Sequence, residues 1–470
     1  MLGFRYELEG SQLPIFDRSQ RSAVDELIKD TEQRGLSRRE FIKRAVAAGL
    51  SLSAASTLFA ACGGSSSSVT ESKTIDLLTT WGDGELDSFN AVIAPFKSQS
   101  GITFTIESTR DVNATLTTRL AGNNPPDIAI LPNPGKMQQL ASQHHLIALD
   151  SFLDMSKVHN DYSSAWTDLG SYSGHLYAIF YKAANKGTIW YNPKEFSAAG
   201  YQVPTTWDQL ITLSNQIAGS GKYPWSMGLE SGSASGWPGA DWVAQIYLNQ
   251  SGPDMYDKWV AHKIPWTDPS IKSAFQMFGQ IAGGSHYING APQSILATNF
   301  QPASYLPYNN PPQAYLYYLG DFTEGFITGQ FKSFTPGTDF NFFPFPTINT
   351  QYAGAVTGGA DLVTALRNTT AVQKLVIYLE TAAAQEIWVA RGGFTSPNKG
   401  VDLTKYPDAV AKASAQQLQG ASIYRFGADD LMPSAVEDAF WKAVLNYVQN
   451  PGNLDTILSG MESTAAQAYH

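Results

Sequence analysis

Between Ile75 and Leu131 the apolar residues switch repeatedly between two periods, and this alternation sharply limits what the chain can fold into. Ile75, Leu77 and Leu78 read as a short strand, whereas Leu86, Phe89, Val92, Ile93 and Phe96 recur at the 3.6-residue spacing of one helix face. Ile102, Phe104 and Ile106 then alternate as a strand does. A helix around residues 113–122 leads through Pro125-Pro126-Asp127 to a buried strand at residues 128–131. The resulting β-α-β-α-β succession predicts an α/β fold with a largely parallel sheet and helices on both faces. In such sheets ligands sit off the carboxyl ends of the strands. Trp81-Gly82-Asp83-Gly84-Glu85 and Pro132-Asn133-Pro134-Gly135 fall there. At 470 residues the chain is too long for one ordinary domain, which predicts two lobes.

Composition removes several function classes. The net charge of −10 argues against nucleic acid, whose phosphates need basic patches. A hydrophobic share of 43% with 12% aromatic residues is that of a globular chain, not a disordered or fibrous one. Most of the 11 Trp, 22 Tyr and 24 Phe must serve core packing. The remainder are candidates for platforms under a flat apolar ligand face, such as a sugar presents. The single cysteine, Cys62, excludes an intrachain disulfide and a thiolate-rich zinc site. His144 and His145 are adjacent and would diverge on a helix, so no metal site is expected. Asp83, Glu85 and Asp87 could hold calcium, but they read better as the acidic start of a helix, favoured by its dipole. No cofactor is expected.

Ahead of this region, Ser37-Arg38-Arg39-Glu40-Phe41-Ile42-Lys43 resembles a twin-arginine export signal. A mildly apolar stretch of residues 45–61 follows, short for a membrane span. It ends in Phe59-Ala60-Ala61-Cys62, which resembles a lipobox with Phe59 where an aliphatic residue is usual. Gly63-Gly64 and four serines then make a flexible tether. This divides the start into an extension of residues 1–36, a signal peptide of residues 37–61, and a lipidated Cys62 with tether over residues 62–72. The resemblance implies export to the outer face of the cytoplasmic membrane, with Arg38 and Arg39 read by the export machinery and Cys62 carrying the anchor.

Further along, periodicity predicts a helix from Thr370 to about Ala390, and another carrying Val436, Phe440, Val444 and Val448 on one stripe. Several ordered strings resemble one family, the extracellular solute-binding proteins for oligosaccharides, and within it the receptors for α-glucosides. They are Ala121-Gly122-Asn123-Asn124-Pro125-Pro126-Asp127, the stretch from Gly228-Leu229-Glu230 through Trp237 to Asp241-Trp242, and Tyr256-Asp257-Lys258-Trp259-Val260. Gly358-Gly359-Ala360-Asp361, Arg391-Gly392-Gly393-Phe394, and Asp430-Leu431-Met432-Pro433 ahead of Ala439-Phe440-Trp441 complete the set. The resemblance covers nearly all of the chain after Cys62. It implies a two-lobed fold like that of the periplasmic binding proteins, with hinge strands and an interlobe cleft. One lobe would hold residues 73–184 plus about 350–392, the other about 185–349 plus 393–470. The implied protein is a monomeric sugar receptor without enzymatic activity that serves the permease subunits of an ABC importer.

Sugar recognition needs aromatic faces for the ring and planar polar groups for adjacent hydroxyls. On this resemblance the candidate stacking residues are Trp81, Trp237, Phe322 and Trp441. The polar candidates are Asn133, Glu230, Asp361 and Arg391. Trp441 also has a plainer reading, as an extension of the buried stripe of its helix. Trp81 follows the first strand at the cleft edge, and Phe322 stands where some relatives carry a stacking Trp, which would make a smaller platform. A surface glycosidase, which would place two carboxylates such as Glu230 and Asp361 about a scissile bond, is the enzymatic alternative. No Gly-x-Ser-x-Gly elbow, His-Glu-x-x-His or phosphate loop supports it. A receptor for a non-sugar solute is the other.

Overall fold

The computed structural model describes residues 73–284 and 286–469. Arg38, Arg39, Cys62 and the three segments assigned to residues 1–72 lie outside the described residues.

Strand β1 (Thr74–Thr79) is followed by helix α1 (Asp83–Ser100), β2 (Thr103–Ser108), α2 (Val112–Ala121), β3 (Ile128–Leu131) and α3 (Pro134–Ser142). Asp83 and Glu85 lie in the first turn of α1, where the helix dipole favours negative charge. Gly101, at φ 68°, ends it by donating its N–H to the Lys97 carbonyl at 3.0 Å. The chain continues through β4 (Ala178–Asn185), β5 (Thr188–Tyr191), β6 (Trp225–Ser226), α4 (Trp237–Val260), β7 (Leu316–Tyr318), α5 (Thr323–Gln330) and β8 (Asn341–Pro344). It closes with β9 (Val356–Ala365), α6 (Thr370–Glu380), α7 (Ala382–Val389), β10 (Tyr424–Phe426), the short α8 (Ala428–Leu431), α9 (Ser434–Gln449) and a terminal helix α10 (Leu454–Ala468).

Two sheets organise the molecule. The first runs β10-β9-β3-β1-β2, with β4 on the other side of β9. Its β1, β2 and β3 are parallel, as the βαβ succession predicts. Strand β9, however, runs antiparallel to both β3 and β4, so the sheet is mixed rather than largely parallel. The reason is topological: β4 and β9 do not belong to βαβ units but lie where the chain passes between the two sheets. Only Lys186 and Gly187 separate β4 from β5, which belongs to the second sheet, ordered β8-β5-β7-β6.

Each sheet has its own core. Ile128 and Ile130 pack on one face of the first sheet with Ile75, Leu77, Phe89 and Trp388, while Ala129 and Leu131 pack on the other with Met137 and Phe180. This is the two-residue alternation of a strand buried on both faces. Phe394, Tyr406, Ala411 and Ala415 join the first of these cores, carrying that lobe past residue 392. The second lobe buries Trp225, Trp242, Phe278 and Phe440 beside α4 and α9. Seven tryptophans are less than 2% exposed, so core packing takes most of the indole supply. Among the described residues no helix is long and apolar enough to cross a membrane.

Candidate ligand-binding cleft

A cleft of about 740 Å³ lies between the lobes. Trp81, Asn113, Asn133, Lys182 and Asp361 line it from the first lobe, and Trp237, Phe300, Phe322 and Trp441 from the second. The loops after β1 and β3 supply Trp81 and Asn133, α2 supplies Asn113, β4 and β9 supply Lys182 and Asp361, and the first turn of α4 and the middle of α9 supply the two tryptophans.

Two groups of buried charges form its floor. In the first, the Lys182 ammonium on β4 lies 2.6 Å from one Glu85 oxygen, and Arg110 lies 2.8 Å from the other. Burial pushes the Glu85 carboxyl up, but Lys182 and Arg110 outweigh it and hold it below its ordinary value. Burial likewise depresses Lys182, and Glu85 with Asp361 more than restores it. Asp361 accepts the Trp81 indole N–H at 2.6 Å, and its carboxyl is raised, burial being the main cause.

The second group centres on Lys186, at the crossing between β4 and β5. Its Nζ lies 2.7 Å from Asp241 of α4 and 3.2 Å from Asp430 of α8. Burial pushes Asp241 up to about 7 despite the ammonium beside it. Asn133 of the first lobe donates to Asp430 at 2.8 Å and also to Glu437 of α9, so these amide bonds join the lobes. Burial, reinforced by Asp430, carries the Glu437 carboxyl well above the usual carboxylate range.

The aromatic wall stands beside these charges. Trp237 is half-buried, with its ring 5.1 Å from Phe300 and 6.2 Å from Phe322, and Lys186 Nζ 5.8 Å from its centroid. Trp441 is only 7% exposed and donates its indole N–H to Asp429 at 2.7 Å. Its ring therefore belongs to the core of the second lobe and to the cleft wall together.

At the mouth, Asp111 at the start of α2 accepts two bonds from Ser233 of the second lobe, from its backbone N–H at 2.8 Å and its hydroxyl at 2.5 Å. These bonds hold the Asp111 carboxyl below its ordinary value. Removing the acceptor with Asp111→Ala is expected to widen the mean opening between the lobes, read as a larger radius of gyration by small-angle scattering of the unliganded protein. An unchanged radius would assign closure to the floor contacts alone.

The sequence candidates are thus placed unequally. Trp81, Asn133, Trp237, Phe322, Asp361 and Trp441 line the cleft. The Trp81 indole, however, is fully buried among Phe89, Tyr181 and Trp388. Glu230 does not line the cleft; its carboxylate accepts from Gly232 N at 2.8 Å and Asn299 Nδ2 at 2.8 Å, shaping the loop that presents Ser233. Arg391 lies in a neighbouring chamber, its Nε donating to Ser88 at 3.1 Å. Sequence reasoning passed over Lys182, Lys186, Asp111 and Glu437. The lysines carried a signal, since they are charges in or beside a strand whose eight residues are all buried. Glu85 emerges not as a solvated helix-start acid but as the partner of Lys182. Among the described residues no group of three or more His, Cys, Asp or Glu side chains could hold a metal ion.

The family described as bacterial extracellular solute-binding protein matches residues 82–386. Among curated proteins, the osmoprotective compounds-binding protein GgtB of Synechocystis is 33% identical over 363 residues, covering 77% of this chain and 85% of the relative. The alpha-glucosides-binding periplasmic protein AglE of Rhizobium meliloti is 30% identical over 392 residues, covering 82% and 85%. Among solved structures, the bacterial solute receptor AcbH, described as preferring β-D-galactopyranose, superposes with a TM-score of 0.74 at 19% identity over 84% of this chain and 99% of that one. Maltose-bound MalE3 of T. maritima superposes with a TM-score of 0.68 at 15% identity, covering 84% and 99%. With its fold, its cleft and this match over most of its length, the chain belongs to the bacterial extracellular solute-binding proteins, a family that captures ligands rather than transforming them.

Proposed function

We propose that the protein captures a neutral α-glucoside of at least disaccharide size between its lobes and delivers it to the permease subunits of an ABC-type importer. The observation that carries this reading is the pairing, in one cleft, of a half-buried indole face at Trp237 with a floor whose lysines are already engaged by carboxylates of the protein. A sugar ring needs an apolar platform and hydrogen-bonding side chains, and it brings no charge to compensate. Trp237, Phe322 and Trp441 serve as platforms, with Asn133 and Asp361 as hydroxyl partners. AglE, which is named for α-glucosides, supports the sugar class. GgtB, named for osmoprotective compounds, favours a second reading in which the ligand is a compatible solute.

Ligand touching both lobes favours the closed state, because only that state makes both sets of contacts. The short β4–β5 crossing at Lys186-Gly187 is where the backbone would bend. Isothermal titration against α-linked disaccharides, with glycine betaine as a non-sugar osmolyte and an assay for sugar release, tests the reading. Saturable disaccharide binding without release is expected. Betaine binding in its place would move the protein to the second reading, and release of glucose would sink both.

The protein works at the outer face of the cytoplasmic membrane, held by lipid on Cys62. Cys62→Ala is expected to shift it from the membrane fraction to the soluble exported fraction. Retention in the membrane fraction would refute the anchor.

A further inference from the structure

Behind Phe322 the interlobe space opens into a second chamber of about 570 Å³. Glu85, Phe322 and Phe326 line both chambers, so the aromatic pair and the Glu85–Lys182 ion pair form a partition between them. The first turn of α1 and the loop after α7 build one wall, and α5 with Tyr305 builds the other. The two walls meet where Gly393 packs against the backbone of Gly325; a Cβ on Gly393 would stand 3.2 Å from the Gly325 Cα. The chamber therefore exists only while the lobes are together, and whatever fills it adds to closure.

Its chemistry suits a polyhydroxylated group. Arg391 is exposed and fixed through Nε to Ser88, and its terminal guanidinium nitrogens have no hydrogen-bond partner among the described residues. That leaves a planar fork for two adjacent hydroxyls. Asp83 and Asp87 supply acceptors of opposite charge, and Phe322 and Tyr305 supply ring faces. At about 300–1,000 Å³ a pocket holds a complete small ligand. Each chamber falls in that range by itself, so the two together exceed what one disaccharide fills.

We infer that this second chamber is a subsite for a further neutral sugar unit, so that the preferred ligand is an oligosaccharide of three or more units passing over Phe322. This rests on the proposed sugar-binding reading of the main cleft. Two glycines offer a block that leaves the packing alone. A Cβ on Gly84 in α1 or on Gly329 in α5 would meet nothing within 4 Å, and both residues line the chamber from opposite walls. Gly84→Phe and Gly329→Phe would each push a ring into it.

Titration calorimetry of the full-length protein with maltose and maltotriose, and with sucrose and raffinose, is the test. In at least one pair the trisaccharide is expected to bind about tenfold more tightly than its disaccharide. Both phenylalanine variants should erase that gain while the disaccharide affinity stays within about twofold. Arg391→Ala should reduce the gain without steric block. Equal affinities within both pairs, or a gain that survives both phenylalanine variants, would overturn the subsite while leaving the main cleft a sugar site. Failure of all four sugars to bind would overturn the reading of the main cleft, and the subsite with it.

Discussion

Replacing Lys186 by methionine is expected to lower the unfolding free energy at pH 8 by about 3–5 kcal/mol, the usual cost of leaving buried charge without its partner. The ammonium serves Asp241 and Asp430 directly and faces Asp429, and all three carboxylates are buried. Trp441 also donates to Asp429 and Asn133 to Asp430, but Asp241 Oδ2 and Asp429 Oδ1 have no hydrogen-bond partner among the described residues, and Lys186 is the one side chain that donates to the Asp241 carboxylate there. Methionine nearly matches the lysine stem in length, which isolates the charge from the packing.

The pH dependence has a definite sign. The folded Asp241 pKa is raised from 3.8 to about 7, so between these values the folded state binds more protons than the unfolded one. The group's stabilising contribution is then complete below about pH 3.8 and is lost as pH rises through about 7. Lys186 itself is raised above its ordinary value, so its contribution is complete below about 10.5 and does not change across this window. Wild-type stability should therefore fall between pH 5 and pH 8. The methionine variant should lose more at pH 8 than at pH 5, where protons can neutralise the carboxylates in the lysine's place. Urea denaturation of both proteins at the two pH values measures this. Equal losses at both would mean that Lys186 contributes packing rather than charge.

Removing the Trp237 side chain is expected to weaken binding of an α-linked disaccharide by about 10–100-fold, roughly 1–3 kcal/mol, the range for an aromatic anchor in a binding site. Trp237 opens α4, directly after Gly236 at φ 111°. That glycine is required twice over, because the left-handed backbone disfavours a side chain and a Cβ would collide with the Trp441 carbonyl. The arrangement sets Trp237 beside Trp441 while leaving its ring half-buried. Trp237→Ala should therefore keep a melting temperature close to wild type and lose affinity. Trp441→Ala should lose both, because that indole is also core and bonded to Asp429. Unchanged affinity in Trp237→Ala would remove its ring from the ligand site.

Much of the first lobe was legible from period alone. The apolar spacing at Phe89, Val92, Ile93 and Phe96 names the buried face of α1, and these four side chains are buried in its core. Asn133, in the loop after β3, lines the cleft for the reason that ligand clefts form at strand ends, whereas Trp237 reaches it from the first turn of α4 and Asp361 from within β9. The direction of β9 was not legible. Gly358-Gly359-Ala360-Asp361-Leu362-Val363 reads the same whichever way its neighbours run, and its antiparallel pairing follows from the route of the chain between lobes.

What this sequence determined by itself was local: which segments become helices and strands, where they stop, and which loops carry aromatic and polar side chains together. These follow from backbone geometry and side-chain spacing within about a dozen residues. Only the tertiary structure decided how the charges are used. Lys182 meets Glu85 across 97 positions and Lys186 meets Asp430 across 244. Burial penalises each of these charges alone and strengthens the attraction between them, so they must meet as pairs, and burial belongs to the packed lobes rather than to any stretch of chain. It likewise decided that Glu230 shapes a loop and Arg391 faces a second chamber, since no local pattern records which side of Phe322 a distant side chain will reach.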